Sequence, residues 1–250
     1  MSGTDSAGVP WEGRSFEHAE SSGDDGSAPA KLLEALKRFR SRELGEAEVV
    51  DEVRVSRLLI PLVAHAGNVG TTPNGHLVDK TQELSIITVA GPDGRSVLPA
   101  FTSVSAMSHW NPGARPIPAD GVRVALAAAG EGTDLVVLDA TNDTEFAIRR
   151  PALWAMAQNE PWQPSYADEA VLAEFMDAAE GEDAIVAIQL APGDSDARLA
   201  GPELIVQLSL IDGLDEIALA ELLGREQERW AASEIIATRV DSMTVKLARA

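Results

Sequence analysis

The sequence predicts an α+β protein of two compact domains, each with a mostly antiparallel or mixed sheet flanked by helices, behind a disordered acidic N-terminal tail. Three observations carry this reading. Apolar runs of strand length, such as LLIPLVA at 58–64, alternate with amphipathic helical stretches, and strands interleaved with helices give α+β domains. Residues 1–29 are rich in Ser, Gly, Asp and Glu, a composition that buries too little apolar surface to offset chain entropy. The run Asn159-Glu160-Pro161-Trp162-Gln163-Pro164-Ser165 sets two prolines and polar residues between two helical patterns, which suits a linker. The division is then a flexible acidic leader at 1–29, a first domain at 30–158, a linker at 159–165 and a second domain at 166–250.

The elements follow in order. Within the leader, Val9-Pro10-Trp11 and Phe16 form an apolar pair in a polar tail, fit to anchor it on the folded body or to serve as a short partner-binding motif. A first helix is expected from Ser27 as cap and Pro29 in the first turn. Leu32, Leu36 and Phe39 form its stripe with Leu33 beside them, and Glu34 and Arg38 pair four residues apart. Gly45 stops it, and a short helix at about Glu46 to Val55 turns Val49, Val50 and Val53 inward. LLIPLVA reads as a buried strand. Glu83 to Val89 and Ser96 to Phe101 flank GPDG, a hairpin signal with Asp93-Gly94 at the turn. Thr102 or Ser103 caps a helix ending near Trp110. ARPIP at 114–118 is extended. Asp120 caps a helix that stops at Gly130. Leu135 to Leu138 is a buried strand with Phe146 to Ile148 as partner, and Pro151 opens a helix to about Gln158. Beyond the linker come a helix (168–179), strands (184–190 and 204–211), a helix (214–231) carrying Leu219, Leu222, Leu223 and Trp230 on one face, and a closing strand pair in which Met243, Val245 and Leu247 alternate with polar residues.

Composition excludes several functions. The 250 residues are 45% hydrophobic and contain no cysteine, which removes disulfides, thiolate nucleophiles and cysteine-ligated metal or iron–sulfur centres. No apolar run approaches the roughly 20 residues that cross a bilayer, and Met1 to Pro10 lack a secretory pattern. A cytoplasmic location is expected. With 40 acidic against 20 basic residues the formal charge is −20, so neither nucleic acid nor an anionic membrane is expected as partner.

No catalytic set stands out. Gly67-Asn68-Val69-Gly70-Thr71-Thr72 lacks the Gly-Lys-Ser/Thr of a phosphate-binding loop and reads as surface loop. His18, His65, His76 and His109 show no ligand spacing; His65 and His76 bracket that loop but lack a third ligand. Asp134, Asp139 and Asp143 surround the 135–138 strand, where a carboxylate is either an active-site group or a turn cap, the latter favoured by DATND. The remaining candidate is a corner: Phe101, Thr102 and Ser103 end a strand and start a helix, where free amides attract anions, and Trp110 and Arg115 follow. Either these five form a recognition patch, or the aromatics are core, Thr102 a cap and Arg115 a solvated side chain. No cofactor, metal or catalytic residue is expected.

The strings RLLIPLVA (57–64), DKTQEL (79–84), DGRSVLPAFTSVSAMSHW (93–110), ARPIP (114–118), LVVLD (135–139) and RPALWAMAQ (150–158) resemble, in order and spacing, the SseB N-terminal domain. VPWEGRSFE and DDGS resemble the leader of such chains, and residues 166–250 resemble the SseB C-terminal domain in layout only. The resemblance implies no agreed reaction and supplies no catalytic residue. A sulfur-transfer activity attached to the name needs a persulfide-carrying cysteine, which this chain lacks. The expected function is a non-catalytic intracellular binding or regulatory protein with a protein partner. The alternatives are an enzyme with a dispersed acidic and threonine site, and, on the family resemblance alone, an accessory of translation or stress physiology.

Overall fold

A computed structural model of the chain describes residues 24–65, 70–71, 77–78 and 83–250. The leader's Val9–Trp11 and Phe16, most of the 67–72 loop, His18, His76 and the His65 side chain lie outside the described residues.

The described chain runs through α1 (Ala30–Arg40), α2 (Glu46–Val55), β1 (Arg57–His65), β2 (Gly70–Thr71), β3 (Leu77–Val78), β4 (Glu83–Ile86), β5 (Val89–Ala90), β6 (Ser96–Ala100), α3 (Val104–Trp110), β7 (Arg115–Asp120), α4 (Gly121–Gly130), β8 (Val136–Leu138), β9 (Phe146–Ile148) and α5 (Arg150–Ala157). A 3-10 turn at Ser165–Ala167 leads to α6 (Glu169–Ala178), β10 (Ile185–Pro192), β11 (Leu204–Leu210), α7 (Glu216–Ala232), α8 (Glu234–Arg239) and β12 (Met243–Arg249). The class is α+β.

The α1 stripe buries Leu32, Ala35, Leu36 and Phe39, each large side chain contributing about 1.5–3 kcal/mol on full burial. Leu33 falls off the stripe, 37% exposed. Ser27 does not cap this helix; Pro29 occupies the N-cap with no side-chain bond. Arg38 turns to Glu43 at 3.3 Å rather than to Glu34. Asp120 caps α4 as expected, accepting the Arg123 N–H at 2.8 Å. Gly121 is required there, because a Cβ would meet the Val53 carbonyl oxygen at 2.2 Å.

β1 lies between β4 and β7, and a second, mixed sheet runs β5-β6-β8-β9. Leu59 and Phe101 exchange backbone hydrogen bonds of 2.8 and 2.9 Å, joining the sheets. Alternation then sorts the side chains. Leu58, Ile60, Leu98, Ala100, Val136, Leu138, Phe146 and Ile148 meet α1, α2, α4 and α5 in one core. The opposite face carries Val97, Leu135, Val137 and Ala147.

Two expectations about strand pairing are corrected. The 83–101 hairpin shrinks to Val89 and Ala90 against Val97 and Ser96. β4 pairs instead with residues 62–65 of β1, a long-range partner that local turn chemistry does not reveal. At the chain's end there is one closing strand, not two. Ser233 caps α8 by accepting the Ile236 N–H at 3.2 Å, which sends Ile236 and Val240 into the core. β12 then lies parallel to β11.

In the second sheet unit β11 is central. Leu204, Val206, Leu208 and Leu210 meet Val171, Phe175, Leu222 and Trp230 from the helices, with the Phe175 and Trp230 rings edge-on at 5.2 Å. The β10–β11 connection, residues 193–203, reaches back over the first half of the chain. Its Ala197 carbonyl accepts the Ala147 N–H at 2.7 Å, its Leu199 packs on Val97, Leu135 and Val137, and Arg42 grips Asp196 at 2.7 Å.

Candidate functional site

β6 ends in a corner whose residues are consumed structurally. Phe101 is fully buried. Thr102 is not the helix cap: its N–H and Oγ1 both donate to the Asp139 carboxylate at 2.8 Å. Thr144 adds a third donor at 2.7 Å. Asp139 follows β8, so this knot ties the ends of two neighbouring parallel strands. Burial pushes the Asp139 carboxyl above its usual range, against the pull of the Thr102 and Thr144 hydrogen bonds. Ser103 is the cap, accepting the Ala106 N–H at 3.1 Å, while the Val104 N–H goes to the Gly26 carbonyl at 3.0 Å. These bonds occupy the Thr102, Val104 and Ala106 amides at the corner.

Trp110 closes the seven-residue α3 and packs on Phe101 with ring centroids 5.3 Å apart and planes tilted by 40°. It is partly exposed. Arg115 is exposed and opens β7. Its register opposite Leu62, two residues from the Ile117–Ile60 pair, puts it on the helix-covered face of the sheet. Phe101 and Trp110 cluster with Leu59 and Met107 on the other face. The five corner residues therefore do not share one surface: three build the corner, Trp110 faces out from it, and Arg115 lies on the far side of the sheet.

That other face is covered incompletely. α3 lies at one side and the 197–199 segment at the other. Between them is a cleft of about 210 Å³, with Val97, Pro99 and Val137 on its floor, Trp110 in one wall and Leu199 with Arg198 in the other. Glu145 at its rim accepts the Thr141 N–H at 2.7 Å.

A second cluster lies where the two halves of the chain meet. Arg149 is 6% exposed. Its guanidinium donates to Asp194 at 2.7 Å and to Asp241 at 3.0 Å, and Arg95 forks onto Asp241 at 2.9 and 3.0 Å. Glu203 accepts from the Ser165 hydroxyl at 2.7 Å and from the Asp241 N–H at 2.6 Å. Tyr166 donates to Glu46 at 3.3 Å. Burial raises the Asp241 carboxyl, but Arg95 and then Arg149 outweigh it and hold the group below the usual range. Glu203 has no such fork, and burial leaves it raised. Glu46 is pushed up to about 7, by burial first and by Glu203 next. The cluster is a lock with more acid than base, and sequence reasoning missed it. The only signal was Arg149 within the apolar stretch FAIRRPALW.

Among the described residues no group of three or more His, Asp or Glu side chains is placed to hold a metal. Asp134 and Asp143 are exposed while Asp139 is buried, and His109 is exposed.

The fold is thus an α+β sheet domain whose second half is clasped to it by a hairpin arm. Residues 32–155 match the family model for the SseB protein N-terminal domain. The chain belongs to the SseB family through that domain, which contains the corner, Trp110 and Arg149. No curated protein and no solved structure matches the chain.

Proposed function

We propose that the chain is a non-catalytic intracellular binding or regulatory module that receives an apolar side chain of a protein partner in the cleft beside Trp110. The observation that supports this is the size and chemistry of the cleft. At about 210 Å³ it falls below the roughly 300–1,000 Å³ of small-molecule sites, and its floor is apolar. A tryptophan wall of this kind is a common interface anchor. Arg198 and Glu145 at the rim supply polar contacts of either sign.

The acid–threonine alternative has a natural centre in Asp139, Thr102 and Thr144. Both Asp139 oxygens accept hydrogen bonds within the fold, and the residue has no exposed surface. That arrangement suits a latch rather than a general base, which needs reach to a substrate proton. A thermal-shift screen of metabolites, nucleotides and metals separates the two readings. The binding reading expects no tight hit with turnover. A ligand that raises the unfolding temperature, is chemically converted and is lost in Thr102→Ala overturns it in favour of an enzyme.

A further inference from the structure

We propose that the leader docks in cis, placing the aromatic side chains of its Trp11–Phe16 segment in an apolar groove beside the N-terminal end of α3. The groove measures about 300 Å³ and is lined by Leu59, Val104, Pro116 and Pro118, with Asp24 to Gly26 along its rim.

Three features specify the occupant. The first is where the leader joins the body. The first described residues are themselves part of the groove and are fixed there. Arg57 holds Asp24 at 2.9 Å, and the Val104 N–H donates to the Gly26 carbonyl at 3.0 Å. Gly26 has φ +76, and a Cβ on it would meet Val104 Cγ2 at 2.7 Å, so only glycine lets the chain approach this closely. The leader is thus delivered to the groove by its own attachment.

The second feature is reach. Phe16 lies eight residues and Trp11 thirteen before Asp24, so extended chain allows them about 26 and about 43 Å at roughly 3.3 Å per residue. Both exceed the distance needed to fold back on an adjacent groove.

The third is surface chemistry. Val104 is 39% exposed. Pro116 and Pro118 are exposed and alternate on β7, so they project on one side. Proline cannot donate to an added strand, so this edge resists β-augmentation. What it offers instead is two pyrrolidine faces against which an aromatic ring can lie. In the leader, the aromatic side chains that could use them are Trp11 and Phe16.

Arg14 stands between those two aromatics and gives a direct test in the full chain. Trypsin cleavage after Arg14, followed by mass, should be at least about tenfold slower than in a free peptide of residues 1–23, because protection reports the population of the open form. Val104→Asp should restore the peptide rate without touching the scissile sequence. Trp11→Ser with Phe16→Ser should restore the rate of the matching variant peptide. Unchanged unfolding temperatures establish that the body stays folded; if Val104→Asp lowers it, the leader variant carries the test. Cleavage of the native chain at the peptide rate overturns the proposal, as does protection that survives both variants. Protection that fades on dilution overturns the cis arrangement and places the leader on a second copy. The inference does not rest on the cleft beside Trp110, so either can fail alone.

Discussion

Arg149 sits where two carboxylates from the second half of the chain converge on the first. Its pairs with Asp194 and Asp241 have side-chain exposures of 6%, 3% and 2%. Removing one partner of such a pair strands charges away from water, at about 3–5 kcal/mol. Arg149→Ala should therefore lower stability by that order in chemical denaturation, and an effect under about 1 kcal/mol would mean that water reaches the cluster. Glu46, at the other end of the lock, gives a pH signature. Its folded pKa of about 7 stands above the ordinary glutamate value of about 4.5. A carboxyl raised on folding adds stability below its unfolded pKa and loses it as pH rises through the folded one. Stability should thus fall between about pH 4.5 and 7, and Glu46→Gln should flatten that slope. A slope unchanged in Glu46→Gln assigns the effect elsewhere.

Among the elements, the 193–203 arm does most to complete the sheet's second face, because Ala197 bonds to the edge of β9 and Leu199 seats on the apolar floor that it helps to bury. Leu199→Asp should raise hydrogen exchange of the Ala147 amide by about tenfold or more while leaving the Leu98 amide, which is bonded to Leu135 at 2.9 Å, near its original rate. Equal loss at both would show global unfolding instead. The elements also show what the sequence reveals. α2 and α4 are legible because valine or alanine stripes and a cap at Asp120 are local signals, and β8 with β9 because both are short apolar runs. The choice of β1 over β6 as partner for β4 is not local. Nor is the site: Arg149 meets Asp194 and Asp241 across 45 and 92 positions, and the cleft is lined by residues from the β5 turn, α3 and the arm, which are distant in the chain. Trp110 was legible as an aromatic near a corner. That Arg115 lies on the other face required the β1–β7 register.

For the whole molecule, a formal charge of −20 opposes any polyanion. A gel shift at low salt should show no binding tighter than about 1 μM to a random duplex or single strand; binding below that would reveal a basic surface strong enough to override the net charge. The proposed division at 159–165 has a distinctive consequence, since the arm and Arg149 bridge it. A chain nicked there should keep both pieces together on gel filtration and release them in Arg149→Ala. Separation of the nicked native chain would show the lock to be weak. The central claim, that the cleft beside Trp110 is a recognition surface, is tested most directly by Trp110→Ala, measuring denaturant midpoint and protein retention on the immobilised chain together. A partly exposed tryptophan packed on one ring should cost about 1–2 kcal/mol, below the roughly 3–5 of a fully buried one, and a discrete set of retained proteins should be lost. A loss of stability in the upper range with retention unchanged would contradict the claim and make Trp110 part of the scaffold.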